Sequence, residues 1–248
     1  MKYAATALSL MMLGCGDYVN ATGELGQLSY GLSIDYEMEG DLTEVSLVTG
    51  HPQSINVALT DEGEKSAAEP WRITHTITPS DGVTLTVDEG EEGESYPPDL
   101  VLSVPEAGDY TVESYYGDEL LDYISLRFDR PDVIKVQTWI REPNADDFEE
   151  STFDETLSVT EGTQVAFLPI PYSGSTRLAG DYAVSYSHTP EEAAVTIHNV
   201  YGTYEEEGVI GAVSSSSLVF IAPEQVIVTI RDEANNLDAQ RTFNVTPQ

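Results

Sequence analysis

LVLSVPE, Leu100–Glu106, returns 118 positions later as LVFIAPE, Leu218–Glu224. Each copy is a short apolar run, rich in branched residues, stopped by Pro-Glu, which is the pattern of a buried strand bounded by a turn. Each is followed by an alternating segment that folds back on itself. In the first half this is Tyr110–Tyr115, the Gly117-Asp118 turn and Leu120–Phe128. In the second it is Val226–Ile230, the Asn235-Asn236 turn and Arg241–Val245.

Working backward from these hairpins, the same order of signals recurs. Trp71, Ile73, His75 and Ile77 occupy alternate positions and so share one face of a strand; Tyr182, Val184, Tyr186 and His188 do the same at an offset of 111. Thr78-Pro79 is matched by Thr189-Pro190, and Val83-Thr84-Leu85 by Val195-Thr196-Ile197 at an offset of 112. A competing repeat, Ala-Gly-Asp-Tyr at Ala107–Tyr110 and Ala179–Tyr182, has an offset of 72 and no second anchor. The longer repeat implies one module written twice. Its boundary falls at Asp129-Arg130-Pro131-Asp132, where proline disfavours extending a central strand.

Short strands rich in Val, Thr, Ile and Tyr, turns at regular spacing and no long helix-period window give an all-β expectation: two tandem β-sandwiches, at residues 28–130 and 131–248. EAGDYTV, Glu106–Val112, resembles the tyrosine corner of immunoglobulin-like domains. That resemblance implies a Tyr110 hydroxyl bonded back to nearby backbone, Val112 in the place of the usual cysteine, and Trp71 as the core tryptophan. The second module has no corner tyrosine at Pro223–Val226, although VIVTIRDEANNLDAQRTFNV, Val226–Val245, still resembles the last hairpin of such repeats.

The chain opens MKYAATALSLMMLGCG. Ala4–Leu13 is too short to span a bilayer but suits the core of a signal peptide. The stretch resembles a bacterial lipoprotein leader, residues 1–15, cleaved before Cys15 so that this cysteine carries the lipid. Cys15 is the single cysteine, so no internal disulfide is available to an exported product. Gly16 after the cysteine implies, by the same resemblance, an outer-membrane or cell-surface destination. Residues 16–27, rich in Gly, Asn and Thr, read as a flexible tether.

Charge narrows the partners. With 44 acidic and 10 basic residues, a formal net charge of −34 repels nucleic acid, whose binding depends on Lys and Arg neutralising phosphates. Self-repulsion of this size is tolerated where salt screens it, which suits a saline habitat; simple solubility at an exposed surface is the other reading of the same charge. Dense carboxylates also raise calcium as a ligand, since calcium takes six to eight oxygens from loops. The candidates are Asp88, Glu89 and Glu91, Asp146 and Asp147, and Asp129 with Asp132 at the module junction. None forms an EF-hand pattern, and solvated loops are the plainer account; no other cofactor is expected.

Catalytic patterns are missing. There is no nucleophile elbow and no HExxH, and His75 reads as a core histidine bonded to backbone. Tyr115, Tyr116 and Tyr123 gather near the first closing hairpin, where exposed tyrosines suit protein or glycan contact. The expectation is therefore a non-enzymatic envelope lipoprotein, held to the bilayer through acylated Cys15 and presenting two immunoglobulin-like modules for binding or adhesion to a protein or glycan. A passive spacer adapted to saline conditions is the alternative, and a carboxylate-based hydrolase the third reading.

Overall fold

The computed structural model describes residues 18–33, 38, 40–66, 69–87, 96–145, 148–150, 153–200 and 214–248. Residues 1–15, which include Cys15, and Asp88, Glu89, Glu91, Asp146 and Asp147 lie outside the described residues. The first nine strands are β1 (Tyr18–Thr22), β2 (Leu28–Ser33), β3 (Ser46–Val48), β4 (Pro52–Leu59), β5 (Ile73–Thr78), β6 (Thr84–Val87), β7 (Leu100–Ser103), β8 (Gly108–Tyr116) and β9 (Glu119–Asp129). Then come β10 (Val133–Arg141), β11 (Glu149–Glu150), β12 (Thr156–Thr160), β13 (Gln164–Ser173), β14 (Thr176–Arg177), β15 (Ser185–Thr189), β16 (Ala194–Val200), β17 (Ser214–Phe220), β18 (Gln225–Asp232) and β19 (Leu237–Thr246).

The chain packs as two compact units. One holds residues 18–132 with Pro171–Tyr182; the other holds Val133–Ile170 with Ala183–Gln248. In the first, a sheet ordered β1-β2-β4-β7-β6 accompanies one ordered β3-β9-β8-β5. β3 runs parallel to β9, while β2–β4, β4–β7, β6–β7, β5–β8 and β8–β9 are antiparallel. Leaving β1 and β3 aside, four strands on one sheet and three on the other reproduce the strand order of an immunoglobulin constant-type sandwich.

The second unit repeats that order strand for strand. Its sheets run β11-β10-β13-β17-β16 and β12-β19-β18-β15, again with a parallel pair, β12–β19, at the equivalent edge. LVLS of β7 and the LVF of β17 occupy equivalent central positions, and β5 and β15 both end at a cis Thr-Pro peptide. The fold is all-β, and the duplicated sequence pattern is a duplicated topology.

Alternation explains the cores. Ile73, His75 and Ile77 of β5 point inward and the threonines between them outward. With Val112, Ile124 and Phe128 of their own sheet they face Tyr30 and Leu32 of β2 and Leu100 and Leu102 of β7 in the opposite sheet, all buried. In the second unit Val226, Val228 and Ile230 alternate inward, and Phe220 and Phe243 pack with ring centroids 4.9 Å apart. Complete burial of one such side chain stabilises by about 1.5–3 kcal/mol.

The corner tyrosine sits at the start of β8. The Tyr110 hydroxyl donates to the Glu106 carbonyl at 3.0 Å, and its ring stands edge-on to Phe128, 5.5 Å between centroids. Tyr110→Phe keeps the ring and removes one hydrogen bond, so a loss of about 1 kcal/mol is expected in urea unfolding. An unchanged midpoint would show that this bond contributes nothing.

Three expectations are corrected. Tyr18–Thr22, expected within a flexible tether, is strand β1, paired antiparallel with β2 from Tyr18↔Ser33 to Thr22↔Ser29. Val19 and Ala21 are buried, so a period-2 signal was present under the Gly-Asn-Thr composition. Trp71, expected as the core tryptophan, is only partly buried and lies in a 3-10 turn, Pro70–Arg72. Pro70 fixes a turn conformation and lacks an N–H for a ladder, so the strand starts two residues later and Ile73 takes the inward place.

The third concerns Pro171–Tyr182, expected within the second sandwich but packed in the first unit. Ala179 extends the β3 edge: its N–H donates to the Ser46 carbonyl at 2.8 Å and its carbonyl accepts from Val48 at 3.0 Å. The Gln53 side chain bonds both backbone groups of Asp181, accepting at 2.8 Å and donating at 3.1 Å. Gly180 (φ +111°) makes this approach possible, because a Cβ there would overlap the Gln53 amide. The second Ala-Gly-Asp-Tyr is thus a docked loop. Tyr182 packs against His51, 4.9 Å between ring centroids, before β15 begins.

Candidate functional site at the tip of the first unit

A bulge on β9 shapes one end of the first unit. Ser114 opposes Asp122, but the next residue of β8, Tyr115, opposes Leu120, so Leu121 is an extra residue. The insertion re-aims the strand, and consecutive residues Leu121 and Asp122 both turn inward while Leu120 stays outside.

Asp122 is fully buried, and its carboxylate gathers the turn between β1 and β2. Oδ1 accepts from the N–H of Leu25 at 2.8 Å and of Tyr123 at 2.8 Å. Oδ2 accepts from Gln27 and Leu28, each at 2.7 Å. Four charge-assisted bonds to one carboxylate satisfy its acceptor sites without a basic partner. Gly23 leaves the room required, since a Cβ there would fall within 2.5 Å of the carboxyl carbon. The turn is closed further by Gly26 N–H to Gly23 O and Glu24 N–H to Tyr123 O, both 2.9 Å.

This framework holds Leu25 outward. Leu25 (48 % exposed) and Leu120 (43 % exposed) line a shallow cleft together with Gln27, Tyr116, Glu119 and Leu121. Tyr116 pairs across the ladder with Ile73, beside the turn that carries Trp71 and Arg72; the Arg72 guanidinium lies 5.9 Å from the Trp71 ring centre and 2.7 Å from Glu69. The tip therefore offers apolar and aromatic surface edged by acids.

Behind the cleft runs a buried polar chain. The Tyr30 hydroxyl lies 2.7 Å from Ser114 Oγ, which lies 2.8 Å from His75 Nδ1. His75 is a core histidine, as expected, with the Ser114 hydroxyl as a side-chain partner beside the Pro98 backbone. Burial holds its pKa down to about 4, partly offset by the Pro98 carbonyl, and Nε2 has no hydrogen-bond partner at bonding distance among the described residues. Burial also pushes the Tyr30 hydroxyl far up, and the Asp122 charge adds to this. All three side chains are core residues, so the Ser-His pair is a packing feature and no reacting group can reach Ser114 Oγ without opening the sandwich.

The remaining candidates are dispersed. Asp129 pairs with Arg127 at 3.3 Å, and both carboxylate oxygens of Asp132 accept from Gly174 N–H at 3.0 Å. Among the described residues no three His, Cys, Asp or Glu side chains converge as metal ligands, and no helix is long and apolar enough to cross a membrane. Tyr115 bonds Glu113 at 3.1 Å beside the cleft rather than within it. Leu25 escaped the sequence reading because its surroundings read as tether; the Gly23–Gly26 spacing and the alternation of Val19 and Ala21 were the signals available.

No family model and no curated protein sequence matches the chain. Among solved structures it is similar to domains 4 and 5 of the S-layer protein SbsC, at 11 % identity over 93 % of this chain and 98 % of that one, with a TM-score of 0.29. The Escherichia coli adhesin FdeC gives 12 % identity over 82 % of this chain and 62 % of that one, TM-score 0.29. A C-terminal fragment of intimin in complex with the intimin-binding domain of its translocated receptor gives 10 % identity over 94 % and 64 %, TM-score 0.27. Superpositions this loose do not discriminate among β-sandwich proteins, and the fold assignment rests on the strand order.

Proposed function

We propose that this chain is a non-enzymatic cell-envelope lipoprotein, anchored through acylated Cys15, whose immunoglobulin-like modules bind a partner at the surface or in the periplasm. The observation that carries the binding role is the tip of the first unit. A buried carboxylate holds the backbone of the turn that presents Leu25 to solvent, with one bond to Leu25 itself and others to Gln27, Leu28 and Tyr123. Large exposed apolar side chains grouped around one cleft mark contact surfaces. Among the described residues the Ser114–His75 pair is sealed in the core.

Lipid attachment is supported by the leader alone. Acyl chains contribute about 0.8 kcal/mol per buried methylene, and more than one chain holds a protein stably on a bilayer. Expressed in a bacterium that processes lipoproteins, the wild-type chain should enter the membrane fraction and incorporate labelled palmitate. Cys15→Ser should do neither and remain in the soluble exported fraction. Membrane retention of the serine variant would sink the anchor.

A further inference from the structure

We infer that the Leu25–Tyr116–Leu120 cleft docks a cationic polypeptide segment that inserts one large apolar side chain. The inference rests on the binding role proposed above and names its partner class.

Three observations carry it. The first is that the surface is built rather than accidental: Asp122 holds the backbone of the turn that carries Leu25, and the bulge that turns Leu121 inward leaves Leu120 outside. Preorganised apolar groups contribute to affinity because little side-chain or loop freedom remains to be lost on binding. The second is charge. Glu119 lines the cleft, Glu24 and Asp118 stand exposed beside Leu25 and Leu120 in sequence, and none of the six lining residues is cationic. Arg72, at the neighbouring turn, is already engaged by Glu69. On a chain of net charge −34, an acidic approaching surface is repelled, whereas Lys and Arg side chains are drawn to this rim.

The third is position. Cys15 lies three residues before Tyr18, so a lipid on it could stand no more than about 10 Å from the start of β1. β1 then runs about 15 Å to Thr22, and the turn carrying Leu25 lies beyond that far end. The cleft therefore sits at the end of β1 away from the proposed attachment point at Cys15. A polypeptide is favoured over a glycan because the exposed leucines offer no hydrogen bonds to hydroxyls, while a buried apolar anchor inside a ring of charge is how protein hot spots are built.

The test uses the full chain in detergent micelles and short fluorescent peptides in which lysines surround one central tryptophan. Saturable binding is expected, weakening as salt is added. Replacing the central tryptophan by alanine, or the lysines by glutamates, should weaken it at least about tenfold, as should Leu25→Asp with Leu120→Asp. Both leucines are exposed, so the variant's unfolding midpoint should stay close to wild type, and Glu119→Lys tests the charge without touching the apolar surface. Equal binding by the double variant, equal binding of the alanine peptide, absence of saturable binding, or binding of neutral oligosaccharides alone would each overturn the inference. Cys15→Ser should bind the peptides as well as wild type does, so failure of the lipid anchor and failure of the docking surface give different results.

Discussion

Asp122→Ala is expected to destabilise the first unit by about 4 kcal/mol and to release the turn between β1 and β2. The size follows from what the carboxylate satisfies. Leu25, Gln27, Leu28 and Tyr123 each donate a backbone N–H to it, and Asp122 itself is fully buried. A buried donor left unpaired costs about 1–3 kcal/mol, less where water enters, and truncation leaves four of them facing a space no other side chain fills. Asp122→Asn preserves the volume but turns one acceptor into a donor aimed at N–H groups, so it too should lose a large part of the stability. Urea midpoints give the free energy, and hydrogen exchange gives the location: protection at Leu25, Gln27 and Leu28 should collapse before that of β8. A loss below about 1 kcal/mol would mean that the carboxylate is not what holds the turn.

Much of this architecture was legible in one sequence because strands such as β5, β7 and β18 bury one face, and burial of one face imposes period 2. The β7 and β17 runs and the alternation of Ile73, His75 and Ile77 were visible for that reason, as was the order in which they repeat. What failed to show was whatever depends on a single long-range partner. β1 looks like a tether because its composition is polar; its pairing with β2 depends on a carboxylate that lies 97 residues from Leu25 in the chain. Trp71 fits the alternating pattern, but Pro70 breaks the strand just before it. The docked loop around Gly180 repeats a tetrapeptide of the corner and adopts none of its structure, because its neighbours are Gln53 and the β3 edge. The candidate cleft combines two such blind spots, a turn that resembles linker and a bulge that composition cannot reveal.

Acidification should weaken the first unit through His75 well before most carboxylates titrate. Its ring lies in the core between β5 and β8, bonded to Ser114, with Tyr30 beyond, and burial lowers its pKa from 6.5 to about 4. The neutral form is the one the fold accepts. Above about pH 6.5 neither folded nor unfolded chain carries the proton, and the stability is fully present. Between about pH 6.5 and pH 4 the unfolded chain binds a proton that the folded chain refuses, so stability falls by up to about 1.4 kcal/mol per pH unit, roughly 3 kcal/mol in all. Below that window both states are protonated and this contribution to the slope vanishes. Relief of the chain's excess negative charge acts in the opposite direction as carboxylates begin to protonate, so the informative quantity is the difference between two proteins. His75→Leu keeps an apolar group of similar size and leaves the Tyr30–Ser114 bond in place. Subtracting its stability profile from the wild-type profile should leave a curve that is flat above pH 6.5 and declines steadily below it. Parallel profiles for the two proteins between pH 6.5 and pH 4.5 would refute the assignment. A decline that begins only near pH 4 would transfer the acid sensitivity from this histidine to the carboxylates.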